Sequence, residues 1–216
     1  MTEVPSLYLK QLELGPMQNF IYLIGDPQTH EAGVVDPGWE VPKILRAAEQ
    51  DGYRITKAFV THHHFDHVGG LPELLKAADL PVYVHRDDAP MVKIAPSSLR
   101  AVAGGETVEV GRVPVALIHT PGHTPGSQCL LVNGRLLTGD TLFINACGRW
   151  DLPGGDPERL YESLNITLKA LDDATIVYPG HNYADRPTST IGEEKRDNPF
   201  LQTPSREAFL QAIGRG

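Results

Sequence analysis

The sequence predicts an α+β protein, one domain made of two similar halves. Three observations lead there. Short runs rich in β-branched and aromatic residues fill the first third of the chain. Each half then passes from strands to a helix and back to a strand. In both halves the unusual polar residues fall where a strand has just ended, which is where a rigid sheet presents functional loops.

In order, residues 6–14 (SLYLKQLEL) and 19–26 (NFIYLIGD) read as strands, and residues 31–38 (EAGVVDPG) as an apolar run closed by Asp-Pro-Gly. Val41, Ile44, Leu45 and Ala48 share one face of a helix. Residues 54–60 (RITKAFV) read as a buried strand running straight into THHHFDHVGG at 61–70. A helix at 71–78 and a short strand at 80–85 follow. In the second half Val113, Val115 and Leu117 alternate as in a half-buried strand. Residues 128–140 hold two apolar runs around Asn133-Gly134, a dipeptide suited to the positive φ angles of a two-residue hairpin. Residues 154–171 are the clearest helix, with Asp156 as N-cap, Pro157 in the first turn and Leu160, Leu164, Leu168 and Leu171 along one face. Residues 174–180 (ATIVYPG) form a strand ending at His181. The tail beyond is more polar and closes with a short helix at 205–213.

Composition narrows the function. With 216 residues the chain can bury a substantial core, and 41% hydrophobic with 21% charged residues is ordinary for a soluble globular protein. No apolar run approaches the ~20 residues that cross a bilayer, and the N-terminus lacks an export signal's layout, so no membrane role is expected. Two cysteines, Cys129 and Cys147, give no disulfide framework and point to a reducing, cytoplasmic setting. A net charge of −8 argues against nucleic acid as a partner. The acidic balance is read as serving solubility, and the expected state is a monomer or small homo-oligomer.

Chemistry concentrates in THHHFDHVGG, which holds four of the nine histidines. His62 and His64, two apart in an extended segment, would point the same way toward one ion. Asp66 and His67 would diverge and serve a neighbouring point. His63 reads as a bystander facing away. Three later turns add His123 (HTPGHTPGS), Asp140 (LLTGDTLF) and His181 (VYPGHNY). Seven nitrogen and oxygen ligands suit two divalent ions better than one, each ion keeping an open position, with the two oxygens of Asp140 as the natural bridge. The lack of thiolates points to zinc, with iron or manganese also suited. Asp36 in VVDPG is read as orienting a ligand histidine. His119 reads as a structural hydrogen bonder, His30 and His85 as ordinary loop histidines, and Cys147 as a small packed residue.

HHHFDH fits the His-x-His-x-Asp-His motif, and His123, Asp140 and His181 the later positions, of the metallo-β-lactamase superfamily, which the chain resembles over most of its length. That resemblance implies a four-layer αβ/βα sandwich with the metal site at one edge. TPGHTPGS, TGDTLF, CGR and PGHNY are similar to the glyoxalase II (hydroxyacylglutathione hydrolase) and persulfide dioxygenase branch. By resemblance Arg149 and Tyr183 sit where that branch contacts glutathione. The full C-terminal helical domain of glyoxalase II is not expected within residues 1–216. The implied reaction is cleavage of a thioester such as S-lactoylglutathione by a metal-bound hydroxide oriented by Asp66, with a thiolate leaving. The rival is a mononuclear Fe(II) dioxygenase acting on glutathione persulfide through His62, His123 and Asp140. A metal-binding protein without catalysis is a third reading, and a nuclease of this superfamily is disfavoured by the acidic charge.

Overall fold

The computed structural model describes residues 6–214. Two six-stranded sheets dominate it. The first holds β1 (Tyr8–Leu14), β2 (Asn19–Asp26), β3 (Glu31–Val35), β4 (Arg54–Phe59), β5 (Val82–His85) and β6 (Leu99–Val102) in chain order. β1 to β3 meander antiparallel, and β3 to β6 run parallel. The parallel pairings need crossovers. α1 (Val41–Gln50) joins β3 to β4, and α2 (Phe65–Val68) and α3 (Leu71–Ala77) join β4 to β5.

The second sheet begins with β7 (Thr107–Val110), β8 (Val113–His119), β9 (Gln128–Val132) and β10 (Arg135–Gly139), all antiparallel. A small ribbon follows, β11 (Leu142–Phe143) with β12 (Ala146–Cys147). α4 (Pro157–Glu162) then carries the chain across to β13 (Ile176–Pro179), parallel to β10, and β14 (Ser189–Thr190) closes the edge. α5 (Ile191–Asp197) and α6 (Arg206–Ala212) complete the chain. The sequence of meander, helix and parallel return thus occurs once in each sheet.

Three separate cores define four layers. β2 shows why: all eight of its residues are buried, and successive side chains point to opposite faces. Ile21 and Leu23 pack with Val41, Ile44, Leu71 and Leu74 under α1 and α3. Phe20, Tyr22 and Ile24 face Val113, Val115, Leu117, Leu130 and Leu137 of the other sheet. Behind that sheet, Cys129, Leu136 and Val177 meet Leu160, Leu164, Ile191 and Phe209. The order is helices, sheet, sheet, helices, as the expected αβ/βα sandwich requires.

The hairpin turn at Asn133-Gly134 takes φ angles of 44° and 70°, as its composition suggested. The expected helix over 154–171 is less regular than its leucine stripe implies. Asp156 caps it through bonds from the Glu158 and Arg159 amides. After Glu162 the coil widens to i→i+5 bonding over Ser163–Thr167, then tightens over Leu168–Ala170. Ser163 Oγ donates to the Pro121 carbonyl at 2.6 Å, and Asn165 Nδ2 donates to the Phe200 carbonyl at 3.0 Å. These side-chain bonds tie the widened turn to its neighbours while Leu160, Leu164 and Leu168 stay buried. α5 lies in the tail read only as polar, and its capping box between Thr190 and Glu193 is the signal that would have found it.

Candidate metal centre

Parallel strands β4, β10 and β13 all end at one edge of the sandwich, and the loops leaving them carry the polar residues singled out in the sequence. His62 and His64 follow β4, and Asp66 and His67 sit on the single turn of α2. His123 comes from the loop after β8, Asp140 from the end of β10, and His181 from the end of β13. Close approach of backbones is required there. A Cβ at Gly180 would lie 2.4 Å from Asp140 Oδ1, and one at Gly139, where φ is 49°, would lie 2.4 Å from Thr61 Oγ1.

The seven residues form two triads and a bridge. His62, His64 and His123 gather with ring centroids 4.6–4.8 Å apart. Asp66, His67 and His181 gather around His67 Nε2, which is 3.2 Å from both Asp66 Oδ2 and His181 Nε2. Asp66 and His67, expected to diverge, converge because they lie on a helical turn and not on an extended strand. Asp140 stands between the triads. Its Oδ1 is 3.4 Å from His67 Nε2, and its Oδ2 is 3.6 Å from His123 Nε2 and 3.4 Å from His181 Nε2.

The outward nitrogens of four histidines are held from behind. His67 Nδ1 meets Asp36 Oδ2 at 2.9 Å, His123 Nδ1 the Arg149 carbonyl at 2.7 Å, His181 Nδ1 the Met17 carbonyl at 2.9 Å, and His62 Nδ1 the Thr61 hydroxyl at 3.0 Å. Asp36 also accepts from the Thr61 amide and hydroxyl, so it braces the start of the loop as well. Asn19 Nδ2 donates to Asp66 Oδ2 at 3.0 Å, and the Trp39 indole donates to Asn19 Oδ1 at 2.8 Å. Asn19, Trp39 and Thr61 had no mark in the sequence.

The site fits divalent cations. His62 Nε2, His123 Nε2 and Asp140 Oδ1 are buried without a hydrogen-bond partner, a costly state unless another ligand satisfies them. Burial, with the crowd of imidazoles, pushes His62 well below the ordinary histidine range and His64 down to about 4, leaving free lone pairs at neutral pH. Burial also lowers His123, outweighing the pull of Asp140. In the other triad burial again opposes charge, but the carboxylates win. Asp140 and Asp36 raise His67 well above its usual value, and Asp140 and Asp66 hold His181 up to about 9. Asp66 and Asp140 are depressed against their own burial by these histidines. That half of the site draws positive charge toward itself.

A cleft of about 680 Å³ opens over the centre. Tyr183 is 58% exposed and stacks on the His181 ring at 4.6 Å, and Phe65 and Met17 are exposed on the same cleft. Arg149 also lines it, with its guanidinium paired bidentately to Asp151 at 2.9 Å. Burial pushes Cys129 and Cys147 up to about 12, so neither thiol is an available nucleophile. His63 turns to Asp88. His85, expected in a loop, is the buried last residue of β5, stacked on His119 at 3.8 Å. With Asp87 these two make a further cluster of ligand-type side chains. Both nitrogens of His85 and Nε2 of His119 are already engaged with backbone groups.

The model of the metallo-beta-lactamase superfamily matches residues 14–181. The chain belongs to that family. Among its relatives, a hydroxyacylglutathione hydrolase of Alkalilimnicola ehrlichii is 39% identical, the match covering 88% of this chain and 72% of the relative. A probable polyketide biosynthesis zinc-dependent hydrolase of Bacillus subtilis is 28% identical, over 89% and 86% of the two chains. Among solved structures, ETHE1 from Myxococcus xanthus superposes with a TM-score of 0.87 at 34% identity, covering 96% of this chain and 90% of that one. TTHA1623 in a di-iron-bound form gives 0.77 at 34% identity, over 89% and 100%. The metallo-beta-lactamase fold is thus present, and hydrolases are among the relatives. Among the described residues no helix is long and apolar enough to cross a membrane.

Proposed function

We propose that this protein is a metal-dependent hydrolase of the glyoxalase II type, cleaving a thioester such as S-lactoylglutathione. One observation carries the reading: the Asp140 carboxylate stands between the two triads, within 3.4–3.6 Å of a histidine from each. His62, His64 and His123 would hold one divalent ion, and Asp66, His67 and His181 the other, with Asp140 shared. Imidazole and carboxylate donors without thiolate suit zinc, and also iron or manganese. When bound, such ions supply a water acidic near neutral pH and polarise a carbonyl.

The chain's own residues do the rest. Asp66, fixed by Asn19, orients the attacking water. Phe65, Met17 and Tyr183 flank the bound acyl group and limit water around it. A thiol of pKa ~8.5 leaves readily as thiolate, so no strong general acid is needed. Arg149 and Tyr183 are the proposed contacts for the thiol-bearing part, Arg149 exchanging Asp151 for a substrate carboxylate. The names of the Alkalilimnicola and Bacillus relatives support a hydrolase.

A second reading, an Fe(II) dioxygenase of glutathione persulfide using His62, His123 and Asp140, is favoured by the resemblance of Gly148-Arg149-Trp150-Asp151 to a Gly-Arg-x-Asp element of persulfide dioxygenases, and its Arg149–Asp151 pair is formed at the cleft. One experiment separates them: measure zinc and iron per chain in protein purified without added metal, and assay thiol release from S-lactoylglutathione beside oxygen uptake with glutathione persulfide. Two ions with thiol release and no oxygen uptake are expected. About one iron with oxygen uptake would overturn the hydrolase.

A further inference from the structure

We propose that Asp88 is a positioning residue for the His62/His64/His123 triad alone, and that it sets the affinity of one ion of the pair without setting that of the other. The inference rests on the two-ion reading. Asp88 lies in the turn after β5, in the unremarkable stretch RDDAP, and its side chain is fully buried. A buried carboxylate needs several donors, and Asp88 has them. Its Oδ2 accepts from the His63 amide at 2.9 Å and the Thr124 hydroxyl at 2.7 Å, and lies 2.9 Å from His63 Nδ1. Its Oδ1 accepts from the Gly126 amide at 2.7 Å.

Among the described residues, those donors come from two loops. His63 stands between His62 and His64, and Thr124 follows His123. One carboxylate therefore stitches together the two segments that supply the first triad. The fit is tight: a Cβ at Gly126 would come within 2.6 Å of Asp88, and Ser127 Oγ accepts from the Thr124 amide at 3.0 Å to close the loop. The second triad is braced by other groups, Asn19 on Asp66, Asp36 on His67 and the Met17 carbonyl on His181. His63, the one histidine of HHH outside both triads, thereby acquires a task. It is the handle by which Asp88 grips the loop.

The test measures metal binding, not turnover. Zinc and cobalt(II) affinities are determined by equilibrium dialysis on the apo forms of the wild type, Asp88→Asn and Thr124→Val, with cobalt absorption reporting each site. Asp88→Asn keeps the shape but replaces one acceptor oxygen by a donor. Removing such a support weakens a metal site by about 10–100-fold. One ion is expected to weaken by that factor and the other to stay within about two-fold, with Thr124→Val shifting the same ion by less. If Asp88→Asn folds poorly, Thr124→Val carries the test. Equal weakening of both ions, or of neither, would overturn the proposal. A wild type that saturates below two ions overturns the two-ion reading instead; Asp88 then stands only if its replacement weakens the single ion at least ten-fold.

Discussion

Asp140 is the residue on which the centre turns, because its two oxygens lie 3.4–3.6 Å from histidines of both triads. Under the proposed function, Asp140→Ala is expected to reduce thioester cleavage to background and to lower bound metal below two ions per chain, measured by elemental analysis beside the assay. A second carboxylate, far from the cleft, gives a pH dependence. Asp26 is fully buried and receives a fork of two bonds at 2.9 Å from Arg112, which holds it well below the usual carboxylate range. The folded value lies below the unfolded one, near 3.9. Its contribution is therefore complete above about pH 4 and is lost as pH falls through the folded value. Asp26→Asn should flatten the acid limb of the unfolding curve below pH 4 and leave the neutral region only uniformly shifted. At this scale the ligand types were readable because histidines in turns are rare and conspicuous. Asn19, Asp36 and Asp88 brace residues 25–47 positions away, and such pairings leave no local pattern; the VVDPG turn marks Asp36 as orienting a ligand histidine without saying which, and Asn19 and Asp88 carry no mark at all.

The irregular run from α4 to Ala170 shows how an outer helix serves the site. Its buried leucine stripe packs behind the second sheet, while Ser163 bonds to Pro121, two residues before His123. A Cβ at Gly122, where φ is 138°, would fall 2.4 Å from the Leu160 backbone. Gly122→Ala should thus move the His123 loop as well as destabilise the fold, raising the metal concentration needed for half-saturation. Leu160→Ala, which leaves the loop sequence intact, should cost about 2–5 kcal/mol in denaturant unfolding through its cavity. The capping box of α5 is worth about 1 kcal/mol, the loss expected for Thr190→Ala. β2, read from its run of β-branched and aromatic residues, matches its expected span of 19–26, and β8 contains the alternating Val113, Val115 and Leu117. β6, β7, β11, β12 and β14 span two to four residues each, too short for periodicity to register, and pairing in the sheets creates them. α2 was hidden inside the histidine run for the same reason.

Across the whole molecule, the sheets divide at the Gly104-Gly105 turn, between β6 and β7. The first sheet and its loops supply His62, His64, Asp66 and His67, and the second supplies His123, Asp140 and His181. Each triad therefore draws from both. Bound metal adds to stability in proportion to the logarithm of its excess over the dissociation constant, about 2.7 kcal/mol at a hundred-fold excess. Stripping metal with a chelator should lower the melting temperature, and readdition should restore it; an unchanged melting temperature would show that these side chains hold no structural ion.

That division has a further consequence. Neither half owns a complete triad, so a chain severed at Gly104-Gly105 would yield two pieces that each bind metal poorly. Mixed together they would share the apolar layer between the sheets and, through it, regain both triads. The ions would then work as a clasp, and reassembly of the fragments would report free metal in solution.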